Sequence, residues 1–377
     1  MTHKTRVLGL SFNWSLVIVC CSLLAVALAQ LACGSLGGSR TVTETVSGDY
    51  IRVYFTSPRY PDDDAYHHGG LDEELAAVIE QAESSVDVVA YDLDLERVGD
   101  ALLTAHRAGV RVRVVVESDN ADTQVVADLR QAGVPLVEDE RESGLMHNKF
   151  VVVDEQWIWT GSWNMTHNGT YRNNNDAVLI ASPALAENYT AEFEEMFTGQ
   201  FGPASPADTP NPRVVITVEI GEGEERQERQ IKVENYFAPE DEAAAQIISE
   251  IEGAQDRIRF MAFVFTSDEI ADAMLARARA GVVVQGVFES RNAEREYSEY
   301  ERLRVAVHDV LKDSNPYILH HKVIIVDDAT VILGSYNFTA SAETRNDENL
   351  LIIHDPEVAA LFVAEFGRVY EQAREAD

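Results

Sequence analysis

His147-Asn148-Lys149-Phe150-Val151-Val152-Val153-Asp154 decides the reading, because it returns as His320-His321-Lys322-Val323-Ile324-Ile325-Val326-Asp327. Each run opens a strand. Histidine and lysine stand two apart, so their side chains leave an extended chain on the same face. Four apolar residues then bury the strand, and the aspartate closes it before a turn. Working outward, Gly161-Ser162-Trp163-Asn164 matches Gly334-Ser335-Tyr336-Asn337, and Arg172-Asn173-Asn174-Asn175-Asp176 matches Arg345-Asn346-Asp347-Glu348-Asn349. All these pairs keep one offset, 173 residues. Upstream, the strand-like run Val86 to Tyr91, a helical pattern from Leu95 to Ala108, and Val110 to Val116 recur as Ile258 to Phe263, Asp268 to Ala280, and Val282 to Phe288. Gly109 and Gly281 fit the residue just past a helix end, where positive φ is needed. Strand–helix–strand order with continuous apolar strands predicts an α/β fold, largely parallel, with covering helices.

The body is therefore one domain written twice. We place the first copy at 48–202 and the second at 230–377, with a Pro-, Gly- and Glu-rich linker at 203–229 that holds a strand-like run from Val214 to Ile220. In front lies a targeting segment, 1–33. Lys4 and Arg6 precede an apolar stretch from Leu16 to Ala29, and no acidic residue comes before Glu44. Leu31-Ala32-Cys33-Gly34-Ser35 is similar to a bacterial lipoprotein signal in which Cys33 would be lipidated, although Gln30 departs from that pattern. Residues 34–47 read as a flexible tether. All three cysteines (20, 21 and 33) lie in this segment, so the body has no disulfide framework, cysteine nucleophile or zinc cysteine cluster. The expectation is an exported protein, lipoprotein-anchored in the envelope or secreted.

With 64 acidic and 30 basic residues in 377, the formal charge is −34. Such a surface repels phosphate backbones and counts against broad nucleic-acid binding. Against it the lysines stand out: there are five, at positions 4, 149, 232, 312 and 322, and two of them fall at the matched motif positions. One His-Lys-Asn set offers an imidazole, an ammonium and a neutral donor, which suits an anion. Two sets face to face offer two of each.

These residues make the chain resemble the phospholipase D superfamily, marked by a duplicated H-x-K-x4-D motif followed by G-S-x-N, from about Tyr50 to Tyr370. The resemblance implies two tandem α/β sandwich domains related by a pseudo-twofold axis, with the active site at their interface. It implies phosphodiester exchange through a phosphohistidine, without metal or other cofactor. His147 would be the nucleophile and His320 the acid–base. Lys149, Lys322, Asn164 and Asn337 would hold the non-bridging oxygens, with Ser162 and Ser335 shaping the turn or donating a hydrogen bond. Asp154 and Asp327 complete the catalytic motif and are read as bracing the strand end.

Further residues are read as supporting these. Glu348 stands where simpler relatives carry a carboxylate that fixes an imidazole. Its counterpart is Asn175, a departure, with Asp176 next door as a substitute. Glu117 and Glu289, at matching strand ends, are candidates for the cleft wall or for structural caps. Trp163 and Tyr336 are candidates for lining the pocket, and His321 reads as packing. Substrate readings are a phospholipid or small phosphodiester first, nucleic acid second, and a silent envelope-binding module third. A duplicated site needs no dimer, so monomer is the expectation.

Overall fold

The computed structural model describes residues 41–46, 50–206, 208–220 and 227–376. The leader, Cys33 and the first part of the expected tether lie outside the described residues. Residues 41–377 form one compact unit. Among the described residues no helix is long and apolar enough to cross a membrane.

Two mixed sheets carry the repeat. The first runs, edge to edge, Ile51–Phe55, Asp176–Ala181, Trp157–Gly161, Lys149–Val153, Ser85–Ala90, Arg111–Glu117, Leu136–Asp139. The second runs Gln227–Ala238, Glu348–His354, Thr330–Gly334, Lys322–Val326, Arg257–Ala262, Val283–Phe288, Val310–Lys312 in the same order. Two further strands, Thr41–Val46 and Arg213–Ile220, extend its first edge. Helices Glu96–Arg107 and Asp268–Arg279 fall where the apolar period predicts, and Gly109 (φ 94°) and Gly281 (φ 100°) follow them.

The expectation of largely parallel strands fails on the motif side. Ser85–Ala90, Arg111–Glu117 and Leu136–Asp139 are parallel, but Lys149–Val153 pairs antiparallel with both of its neighbours. A strand buried on both faces reads as a continuous apolar run in either arrangement, so the sequence could not separate them. The tether reading fails over Thr41–Val46, which pairs in parallel with Arg213–Ile220 of the expected linker. Its valines, Val42 and Val46, pack against the central core and Glu44 between them accepts from Ser182 and Ala184 N, while Thr43 and Thr45 face out. The alternation is that of a half-buried edge strand.

The core explains how the halves stay together. One cluster joins Phe150 and Val152 of the first sheet to Val323 and Ile325 of the second. The helices Pro183–Phe197 and Pro356–Ala376 lie within it, contributing Tyr189 and Phe193, and Phe362 and Phe366. Separate clusters fill the outer faces under helices such as Glu96–Arg107 and Asp268–Arg279. Paired bridges tie the loops before the two motifs: Met146 to Asp347, and Leu319 to Asn174. Each is the other shifted by the repeat offset, which is what a pseudo-twofold requires.

Candidate active site

Both motifs start at this seam. His147, Lys149, His320 and Lys322 are all buried, the histidines 5% and 6% exposed and the lysines 2% and 1%. Each lysine Nζ donates to the carbonyl of the histidine two residues before it, Lys149 to His147 O (2.5 Å) and Lys322 to His320 O (2.8 Å). That bond holds the ammonium beside its own imidazole.

The ring partners come from the opposite half. His147 Nδ1 lies 2.7 Å from Glu348 Oε2, and His320 Nδ1 lies 2.8 Å from Asn175 Oδ1. Asn175 Nδ2 donates to Gly169 O (2.9 Å), which fixes its oxygen toward the ring. Both partners can only accept, so each neutral histidine carries its proton on Nδ1 and turns an Nε2 lone pair outward. Neither half is complete alone.

Electrostatics separate the two imidazoles. Burial pushes His147 down to about 4, against the pull of Glu348. His320 lies well below its ordinary value through burial and the charges of Lys322, Lys149 and His147, with no carboxylate to offset them. Burial lowers Lys149 to about 7, and burial together with the charge of Lys149 holds Lys322 well below its ordinary value. Burial alone would raise Glu348, but His147 and Lys149 outweigh it and keep it ionised. Such a site stabilises an incoming anion, whose charge restores what burial has cost the two ammoniums.

Asn164 and Asn337 each keep a buried side-chain oxygen without a hydrogen-bond partner. Ser162 and Ser335 do not reach toward substrate. Ser335 Oγ donates to Glu348 Oε2 (2.6 Å), and Ser162 Oγ lies 3.1 Å from Asn175 Oδ1 and 2.9 Å from Asp176 Oδ1. They hold the residues that hold the histidines.

Other sequence candidates land elsewhere. Asp154 and Asp327, named with the catalytic motif, stand at the far ends of the motif strands from His147 and His320, in left-handed turns (φ 55° and 51°). Asp154 accepts from the backbone of Glu83, Ser84 and Ser85, and Asp327 from that of Gln255, Asp256 and Arg257. Glu117 caps a short 3-10 turn and accepts from Met146 N (2.7 Å), so it braces the segment entering His147. Glu289 caps helix Ser290–Ala293. Asp176 does not substitute for Asn175 at either motif-opening histidine, His147 or His320. It pairs with His321, which is therefore more than packing. Trp163 and Tyr336 do not line a pocket: both are core residues, bonded to Thr170 and Glu343.

Sequence reasoning missed the aromatic walls. Tyr91 meets His147 edge-on (centroids 4.8 Å apart) and lies 4.8 Å from Lys149 Nζ. Phe263 packs at a tilt on His320 (centroids 4.7 Å apart) and lies 4.8 Å from Lys322 Nζ. Their signal was the repeat register itself, since both close the matching strands upstream. The acidic loop near Asp62 forms its own network: His67 bonds Asp62 (2.8 Å) and approaches His167 (3.1 Å), and Asp62 also takes Arg172.

A family model described as cardiolipin synthase, PLD-like domain, matches twice, at residues 75–197 and 247–370. A phospholipase D of Rickettsia conorii is 36% identical over 132 residues, covering 35% of this chain and 66% of its own length. A human mitochondrial cardiolipin hydrolase is 33% identical over 130 residues, covering 34% of this chain and 52% of its own length. The chain thus spans about two-thirds or less of these curated relatives. Phosphatidylserine synthase from Haemophilus influenzae superposes with a TM-score of 0.60 at 13% identity, covering 86% of each chain. That last likeness is one of fold.

Proposed function

Because the chain belongs to the phospholipase D superfamily, we propose that it is a metal-independent phosphodiester hydrolase or transferase that works through a phosphohistidine on phospholipid headgroup esters. One observation carries this reading: each buried imidazole is fixed from the opposite half, Glu348 on His147 and Asn175 on His320, with a lysine beside each. His147 Nε2 attacks phosphorus, and the bond to the leaving oxygen breaks. Glu348 offsets the imidazolium charge that forms. His320, protonated once the diester anion has offset Lys149 and Lys322, gives its proton to the leaving alkoxide. It then takes a proton from water or an alcohol, which attacks phosphorus and frees His147. Lys149, Lys322, Asn164 and Asn337 steady the oxygens as charge builds.

The substrate class rests on weaker support. A formal charge of −34 disfavours long polyanions, and the named relatives include a phospholipase D and a cardiolipin hydrolase. Export and lipid attachment at Cys33 would put the enzyme beside its substrate. The test offers EDTA-treated protein phosphatidylcholine, cardiolipin, and single- and double-stranded DNA. Headgroup release without DNA cleavage supports the reading, and the reverse result makes the protein a nuclease. His147→Ala and His320→Ala should each abolish turnover.

A further inference from the structure

The pseudo-twofold brings four pairs of side chains across the seam, and their charges are not distributed alike. In one crossing His147 meets Glu348, and Asn349 Nδ2 donates to Asn148 Oδ1 (2.9 Å). In the other His320 meets Asn175 at 2.8 Å, and His321 Nδ1 meets Asp176 Oδ1 at 2.6 Å. The carboxylate has moved one residue along its strand, off the catalytic imidazole and onto that imidazole's neighbour. We propose that His321 is a positioning residue that assigns the roles of the two catalytic histidines: by holding Asp176 in an ion pair, it leaves His320 facing only an amide. The inference rests on the two-histidine reading above and adds a residue to it.

His321 is fully buried and has a carboxylate on each ring nitrogen, Asp176 on Nδ1 and Glu365 on Nε2 (3.2 Å). Neither can donate when ionised, so the ring donates with both nitrogens and is cationic. The two carboxylates outweigh burial and raise it above its ordinary range. Glu365 is shared with Arg368, and the Phe55 ring closes the remaining side. Ser162 connects this pair to the active site, because its hydroxyl lies between Asp176 Oδ1 and Asn175 Oδ1. Asp176 Oδ2 is buried without a hydrogen-bond partner, and the cations that meet that charge are His321 on Oδ1 and, through space, Lys322. The groups facing His320 are Lys322 and Lys149 from the two motif strands, His147, Asn175, the backbone of Ser162 and the Phe263 ring. None is an anion. An uncompensated Asp176, joined to Asn175 through Ser162, would raise that imidazole, and the asymmetry with His147 would shrink.

The test is an NMR titration of labelled histidines in the resting protein, with His320 assigned by loss of its signal in His320→Gln. In His321→Asn, the proton affinity of His320 should rise at least tenfold. In the double variant His321→Asn/Asp176→Asn, which copies the Asn148–Asn349 pair, it should return to within about twofold of the starting value. In parallel, protein denatured in alkaline detergent during turnover should carry the phosphatidyl group on His147 alone in the parent chain and on both histidines in His321→Asn. An unmoved His320 titration in His321→Asn overturns the proposal. A double variant that fails to fold or to restore the titration also overturns it. If the parent chain shows no phosphodiesterase activity, the proposed function falls while the titration still decides the role of His321.

Discussion

Replacing Glu348 by Gln changes one buried charge and almost no volume, and it separates the two imidazoles' roles. Glu348 Oε2 accepts from His147 Nδ1 at 2.7 Å and from Ser335 Oγ at 2.6 Å, and a correctly turned amide oxygen can keep both bonds. What is lost is the negative charge opposite the imidazolium that the proposed attack of His147 on phosphorus would form, together with the bond that Oε1 takes from Asn346 Nδ2 (3.1 Å). A hydrogen bond to a charged group contributes roughly 1.5–3 kcal/mol. Coulomb attraction between unit charges about 4 Å apart at an effective dielectric near 20 sets an upper figure of about 4 kcal/mol. At 1.36 kcal/mol per factor of ten, kcat should fall by about 10- to 1000-fold. KM should change little, because the lysines and asparagines that meet the ground-state anion remain. The pH dependence has a sign. Glu348 pulls His147 upward against burial, which holds it at about 4; removing the carboxylate lowers it further. The acid limb of kcat/KM, where His147 must be neutral, therefore moves to lower pH or stays beyond the accessible range. Steady-state kinetics from pH 4 to 9 on protein of unchanged circular dichroism would check this. A fall of less than threefold, or an acid limb that moves upward, refutes the carboxylate's role.

Three further changes test the rest. Asp154→Asn removes the charge that accepts from the backbone of Glu83, Ser84 and Ser85, so denaturant melts should show a loss of about 1–3 kcal/mol with kcat per folded molecule unchanged. Burial would raise this carboxyl, but those backbone N–H groups hold it below its usual range, so the loss is full above about pH 4 and fades as pH falls through the folded value. Lys322→Met should abolish activity yet raise stability at pH 7 by about 1–4 kcal/mol, since burial and Lys149 disfavour the ammonium. That gain shrinks as pH approaches about 10.4, where the unfolded chain loses the same proton. Deleting residues 1–47 rather than 1–40 removes the Thr41–Val46 strand and the partly buried Val42 and Val46; the shorter chain should melt earlier by the equivalent of about 1–2 kcal/mol, with site chemistry intact.

The division between what was legible in the sequence and what was not follows from how the site is built. A motif repeated at one fixed offset checks itself, so the two-sheet fold and the burial of both His-Lys pairs at one seam could be read directly. The pairing of imidazoles could not. Sequence distance joins Glu348 to His320, 28 positions before it, and Asp176 to His147. In the second sheet, however, Thr330–Gly334 lies between Lys322–Val326 and Glu348–His354. Strands are about 4.8 Å apart, so the two ends stand about 10 Å from each other. The pseudo-twofold closes that gap from the other side, delivering His147 to Glu348 and His320 to Asn175. Asp154 and Asp327 were visible as motif residues but lie a full strand away from His147 and His320, where they accept from the backbone of the neighbouring turn. The same crossing explains why duplication gave unlike histidines. Two identical copies related by the pseudo-twofold would give both imidazoles the same partner. Once both copies sit in one chain, each position can change alone, and Asn175 opposite Glu348, with His321 and Asp176 opposite Asn148 and Asn349, records that freedom in four residue pairs.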